Sequence, residues 1–361
     1  MKGIKINHIL DQVYMTINLK DAKDIQGISA SIKAAYDYLY ENDIYIVYQK
    51  CFANEENKDT INSIQKLMES NQTPHIDIFI SLESVSHSPA AGVFIYGIAH
   101  RNISNVHYYQ SYETQIVTFV HDGLTYMHGT IATEMPDKMF EACESNMLRM
   151  GFLPNDILRT WFYIYRISDT YIEFNSLRNQ FFERNNIEYS NNSNNLPAST
   201  CIEGSISGKN VMHFLGVRGN YPSVTRLYNT MQNEADGNTY LYAPAFSRAL
   251  ALNYNSYLQV QLSGTASIGK KGETLFVADR YNQIKQTLQN IMNLLKRTEL
   301  DISNMCEYTL FFKNEEVYLC FDAVCNELGI SLADGIFVYS NVCRDDLLFE
   351  MDGIALQITK D

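Results

Sequence analysis

No stretch of the 361 residues approaches the roughly 20 consecutive apolar side chains that a membrane-spanning helix needs. The N-terminal run MKGIKINHILDQVYMTINLKD is too polar for a secretion signal, so a cytoplasmic setting is expected. Cations are also in deficit: 28 Lys plus Arg stand against 41 Asp plus Glu, a formal net charge of −13. That argues against nucleic acid or an anionic membrane as the main partner, because phosphate binding needs a cationic face. A small anionic substrate stays compatible, since a few arginines can build a local positive pocket. Cysteine is sparse and odd in number, at positions 51, 143, 201, 306, 320, 325 and 343. Cys320 and Cys325 form the one close pair and have no histidine nearby, so they read as two buried thiols and not as a metal site. Structural disulfides are not expected in a reducing compartment. No metal and no organic cofactor is expected. What is present is an ordinary globular mix, 46% hydrophobic and 19% charged, which excludes wholesale disorder.

The hydrophobic pattern repeats three times. The C-terminal part gives strand Tyr257 to Leu262, a turn-like Ser263-Gly264-Thr265-Ala266-Ser267, and a helix over 281–297. In that helix Ile284, Leu288, Ile291, Leu294 and Leu295 recur at helical spacing. Strand 306–313, a helix over 317–328, and strands 335–341 and 347–357 complete the unit. The middle gives a hairpin over 116–129, helix 136–150, strand 157–166, helix 171–184, and strands 197–205 and 211–218. The N-terminal hundred residues give hairpin 4–19, helix 28–40, strand 44–52, helix 57–68, and strands 75–81 and 92–100. A period of about 115–125 residues is too long for a solenoid. It predicts tandem α+β domains over 1–104, 105–220 and 221–361, which could close into a ring with pseudo-threefold symmetry. Such a ring would already satisfy its own assembly, so a monomeric pseudo-trimer or a weak homo-oligomer is expected.

Each unit resembles the RidA-like (YjgF-type) fold, whose domains associate as trimers with ligand sites in the clefts between them. The segments 196–203 (LPASTCIE) and 347–355 (LLFEMDGIA) carry that likeness. Enamine-deaminating members have Pro-Ala-Arg where this chain has Pro197-Ala198-Ser199. The matching places in the other copies are read as His75 and Asp334, so the carboxylate-gripping arginine is absent and generic deamination is disfavoured. Over roughly 105–361 the chain also resembles the chorismatase family, through Arg159-Thr160-Trp161 with Tyr163, the Leu196-Pro197-Ala198 stretch and Ala245-Phe246-Ser247-Arg248-Ala249. Ser263-Gly264-Thr265-Ala266-Ser267 and Cys343-Arg344-Asp345-Asp346-Leu347-Leu348-Phe349-Glu350 complete that likeness. Phe162 stands where that family usually has Asn, and segment 220–242 lacks most of its Pro- and Arg-rich signature.

The resemblance implies cleavage of the enolpyruvyl ether of chorismate to pyruvate plus a hydroxybenzoate, with 3-hydroxybenzoate favoured, or a dihydroxycyclohexadiene carboxylate. That chemistry needs a carboxylic acid still protonated near neutral pH and fixed cations for two carboxylates. Glu350, set among Leu347, Leu348, Phe349 and Met351, is the expected acid, because a buried strand raises a carboxyl pKa. The corresponding strands at 92–98 and 211–217 hold no acid. Arg248 and Arg159 are the expected carboxylate anchors. Tyr163 and Tyr228 are candidate hydrogen-bond donors. Ser263, Gly264 and Thr265 are read as a turn offering N–H groups and a hydroxyl to an anion. Cys343 could face the same cleft; in the resembled family a cysteine there accompanies the 3-hydroxybenzoate branch. Arg344 is read as neutralising Asp345 or Asp346. The alternative is a non-catalytic RidA-like protein binding a small carboxylate or aromatic acid in an inter-domain cleft.

Overall fold

The computed structural model describes residues 3–69, 73–187, 189–190, 193–220, 223–229, 231–232 and 245–359. The first unit runs β1 (Ile4–Ile9), β2 (Gln12–Asn18), α1 (Ile25–Glu41), β3 (Ile44–Ala53), α2 (Lys58–Glu69), β4 (Ile76–Ser81), β5 (Glu83–Ser84) and β6 (Ala90–Ala99). The second comprises β7 (Ser104–Gln110), β8 (Thr114–His121), β9 (Leu124–Thr133), α3 (Pro136–Arg149), β10 (Ile157–Ile164), α4 (Ile167–Arg184), β11 (Tyr189–Ser190), β12 (Ser193–Asn194), β13 (Ala198–Glu203) and β14 (Asn210–Arg218). The third comprises β15 (Ser223–Leu227), β16 (Ala249–Asn253), β17 (Tyr257–Ala266), α5 (Arg280–Lys296), β18 (Met305–Phe312), α6 (Glu315–Tyr318), α7 (Phe321–Leu328), β19 (Ile336–Tyr339) and β20 (Phe349–Ile358).

The same four-strand arrangement recurs in each sheet. It reads β2-β6-β3-β4 in the first, β9-β14-β10-β13 in the second and β17-β20-β18-β19 in the third. In every case the last two strands are parallel and the others antiparallel. Helices cover one face of each sheet because their apolar residues form a stripe. In α1 the buried positions are Ile28, Ile32, Ala35 and Leu39, and in α5 all five apolar positions read from the sequence are buried. Asp24 and Asp279 cap these two helices, accepting from the N–H groups of Gly27 and Asn282; such a cap contributes about 1 kcal/mol. The opposite faces of the three sheets share one core. Phe52 and Phe94 of the first, Trp161 and Tyr163 of the second, and Leu250, Phe311 and Ile354 of the third all belong to it. The units are stitched to one another by single bridges, Ser81 to Ser205, Ala198 to Ser247 and Ile202 to Val342, and by β5, which pairs with β19 of the third sheet.

Four sequence expectations change. Residues 263–266 are not a turn: β17 continues through them with a register shift between Leu262 and Thr265, a bulge that bends the strand. The helix read over 317–328 is broken between α6 and α7, and at that break Cys320 is half-exposed while only Cys325 is buried. Strand register puts Asp77 and Phe337, and not His75 and Asp334, at the positions matching Ser199. The arginine is still missing from all three copies. Phe162 packs between Phe140 and Phe174 under the helices of the second unit, so this departure from the family pattern lies in the core. No helix among the described residues is long and apolar enough to cross a membrane.

Candidate active site

Between the second and third units lies a cavity of about 280 Å³, at the lower end of the size of small-molecule sites, roughly 300–1,000 Å³. One wall is α4, through Tyr171, Asn175, Arg178 and Asn179. A second is β13, through Ser199 and Cys201, and a third is the segment carrying Phe246 and Arg248. Gly264 of β17, the Cys343–Leu347 segment and Glu350 of β20 close it.

A knot of serines sets this geometry. Ser247 donates its N–H to the Pro197 carbonyl and its hydroxyl to the Leu196 carbonyl, which fixes the Arg248 segment against β13. The Ser263 hydroxyl accepts from Ser199 N–H at 2.8 Å and donates to the Ser247 carbonyl. Ser263 is thus a buried tie between three segments, while the Thr265 hydroxyl donates to the Ser263 carbonyl within the bulge itself. Their bulge turns Gly264 toward the acid: a β-carbon there would come within 2.0 Å of Glu350 Oε1 and 3.2 Å of Thr200 Cγ2. Any side chain at 264 would fill the place the carboxyl occupies.

Glu350 lies on a central strand, opposite Ala266 of β17 and Phe311 of β18, and is 5% exposed. Burial pushes its carboxyl up to about 8; the negative charge of Asp352 adds to the rise and Arg159 opposes it. Among the described residues no side chain donates a hydrogen bond to this carboxyl. It is therefore a neutral acid at pH 7 with its proton available to the cavity. Arg248 and Arg178 are both buried, and their guanidinium groups line the same space. Arg248 lies over the Phe246 ring, and Arg178 donates to Asn175 Oδ1 at 2.5 Å. Arg344 also lines the cavity, held by the Gly272 carbonyl; no ion pair joins it to Asp345 or Asp346 among the described residues, contrary to the sequence reading. Burial raises the Cys343 thiol to about 12, with Glu350 adding to the rise, so it stays protonated.

Of the residues singled out from sequence, the cavity brings together Glu350, Cys343, Arg248 and Gly264. Arg159 lies behind it, wholly buried. Its guanidinium reaches Asp352 Oδ2 at 3.1 Å, Thr200 Oγ1 at 2.6 Å and the Thr160 carbonyl, over the Trp161 ring. Arg159 does not line the cavity, but its charge draws the Glu350 carboxyl down, against the rise that burial and Asp352 cause. Tyr163 is buried in the shared core against Phe52. Tyr228 is half-buried beside Arg226. Much of segment 220–242, including 221–222, 230 and 233–242, lies outside the described residues. Sequence reasoning missed the α4 wall. The signal was there, since 171, 175, 178 and 179 share one helical face, but a polar helix face reads as solvated until the partner surface is known.

The arrangement can bind a small molecule with more than one anionic group, because guanidinium forks match carboxylates. It can also deliver a proton to it from a neutral carboxyl. Among the described residues no cluster of His, Cys, Asp and Glu has the makings of a metal site.

No protein-family model matches the sequence, and no curated protein matches it. Solved structures do. A chorismatase crystal structure superposes with a TM-score of 0.65 at 15% identity, over 86% of this chain and 92% of that one. Single-unit structures match about a third of the chain: E. coli YjgF gene product at TM-score 0.28, 18% identity, 37% of this chain and 98% of that one, and yeast Mmf1 at TM-score 0.29, 17% identity, 37% and 99%. The chain shares the fold of that chorismatase structure, α+β with three like units in tandem.

Proposed function

We propose that this chain cleaves the enolpyruvyl ether of chorismate, releasing pyruvate together with a hydroxybenzoate, 3-hydroxybenzoate first, or a dihydroxycyclohexadiene carboxylate. On this reading residues 1–104 are a structural unit, and 105–220 and 221–361 are the two domains that form the working cleft. The observation that carries it is Glu350: a buried carboxyl, neutral to about pH 8, in a cavity that two buried guanidinium groups share. Chorismate is a dianion with an acid-labile vinyl ether. Arg248 and Arg178 would each hold one carboxylate. Glu350 would transfer its proton to the enolpyruvyl methylene carbon, leaving an oxocarbenium ion that water or a ring hydroxyl captures before pyruvate departs. Arg159 and Asp352 position and tune the acid. The Cys343 thiol, protonated and weakly hydrated, would favour capture by the ring hydroxyl over water.

Incubation of the purified protein with chorismate, with pyruvate followed through lactate dehydrogenase, tests this directly. Pyruvate should form, and Glu350→Gln should stop it. Absence of pyruvate with the intact chain, or full activity in the variant, would overturn the assignment.

A further inference from the structure

Cys201 and Cys343 come from different units, 142 positions apart in the chain, yet they face each other. Ile202 and Val342 form an antiparallel bridge, with Glu203 N–H donating to the Asn341 carbonyl at 3.0 Å. Two further bonds pin that register: Asn341 Nδ2 donates to Glu203 Oε2 at 2.9 Å and the Ser340 hydroxyl to the Glu203 carbonyl at 2.9 Å. One step along an antiparallel pair, Cys201 is opposite Cys343. Opposed residues have α-carbons about 4.5–5.5 Å apart and side chains on the same face, inside the window of about 4.4–6.8 Å that a disulfide requires. Both side chains line the cavity beside Glu350. The other cysteines have no such partner; Cys51, for example, is opposite Phe79 and Val93.

We infer that Cys201 and Cys343 form a cross-strand dithiol whose oxidation to a disulfide remodels the cavity wall and lowers its affinity for ligand. A small-molecule disulfide such as oxidised glutathione is the oxidant. Cys343, half-exposed where Cys201 is buried, loses its proton and attacks one sulfur of the oxidant, expelling a thiolate that takes up that proton. Cys201 then loses its proton and attacks the Cys343 sulfur, forming the protein disulfide and releasing the second small thiol. Two electrons and two protons pass from the protein to two glutathione molecules. The closed bond, about 2.05 Å long, removes two S–H groups from the wall and draws the segment bearing Arg344 and Leu347 toward β13.

The groups facing the pair are Glu350 from β20, Arg178 and Tyr171 from α4, and Arg344 beside Cys343. Burial and Glu350 raise both thiols, while Arg178 draws both down. The pair is therefore slow at neutral pH, and its attack quickens about tenfold per pH unit as thiolate forms.

The cross-link itself is independent of the ligand reading; the loss of affinity rests on it. The full-length protein is treated with oxidised glutathione near pH 7 and near pH 8.5, alkylated and mapped by mass spectrometry. A single disulfide joining the Cys201 and Cys343 peptides is expected, faster at the higher pH and missing in both Cys201→Ser and Cys343→Ser. Two alkylated thiols, or a persistent glutathione adduct on Cys343 with Cys201 free, would overturn the dithiol. Chorismate turnover, or thermal stabilisation by salicylate, should then need at least tenfold more ligand in the oxidised protein and recover with dithiothreitol; unchanged affinity in cross-linked protein would overturn the regulatory role. If reduced protein engages neither compound, the ligand reading fails while the peptide map still decides the dithiol.

Discussion

Strands β6, β14 and β20 hold one place in three units, and at one register position they carry Phe94, His213 and Glu350, opposite Lys50, Trp161 and Phe311. The surroundings differ more than the backbone. Phe94 is edge-on to Phe52 in the shared core. His213 is stacked on Trp161 with ring centroids 4.5 Å apart, and burial together with Lys50 holds it well below the usual imidazole range, so it is neutral and sealed. Of the three, only Glu350 lines the cavity that Arg178, Arg248 and Arg344 also line. The repeat supplies three equivalent places; one acid and one open cleft set one of them apart as the candidate site.

The comparison breaks first at the acid. Glu350→Gln keeps the shape and should cut turnover by about 10²–10⁴, the range of a general acid, in the pyruvate assay; the circular dichroism spectrum should not move. Asp352→Asn should come next. Loss of a buried partner charge leaves Arg159 uncompensated, at a cost of about 3–5 kcal/mol in chemical denaturation. The alkaline limb of the pH–rate profile, expected near 8 in the native protein because the carboxyl must be protonated, should fall to lower pH once the charge that raises it is gone. Arg178→Ala should weaken substrate binding by about 1.5–3 kcal/mol, the contribution of a charged hydrogen bond, seen as a raised KM. Gly264→Ala should lower stability by about 1–3 kcal/mol through overpacking and displace the acid, read as a lower melting temperature together with slower turnover. His213→Phe sharpens the contrast most gently. It makes the second unit like the first, removes a ring whose Nδ1 has no partner, and should change stability by less than about 1.5 kcal/mol with turnover intact; loss of pyruvate formation would mean that the three places are not distinct.

The repeat was legible because each unit is local: hairpin, helix, strand, helix and strands are all written in periodicity of 2 or 3.6. The site was half legible. Glu350 stood out as an acid among apolar neighbours, and Arg248 as a cation with few charges near it. What stayed hidden depends on contacts between units. Arg159 looked like an anchor, yet its partner, Asp352, lies 193 positions away. Ser263 and Thr265 looked like a turn because Gly264 sits between two hydroxyl residues, whereas the glycine serves to admit the Glu350 carboxyl. Arg178 sits on a polar face of α4 that reads as solvated, and Cys201 on an apolar strand, so their place in the cavity wall shows only once α4 and β13 meet the third unit.

A two-residue strand forms part of the seam between the first and third units. Glu83 and Ser84 leave the first unit and pair with Tyr339 and Val338 as the outermost strand of the third sheet, where Val85 N–H also reaches the Phe337 carbonyl. From the same unit Lys50 and Tyr48 reach Glu307, at 3.6 and 2.7 Å. The N-terminal hundred residues contribute nothing to the described lining of the cavity, yet trimming them away would bare a β-edge ready to aggregate and abandon a carboxylate in a greasy interior. The seam makes the first unit part of the third unit's sheet and of its buried charge balance.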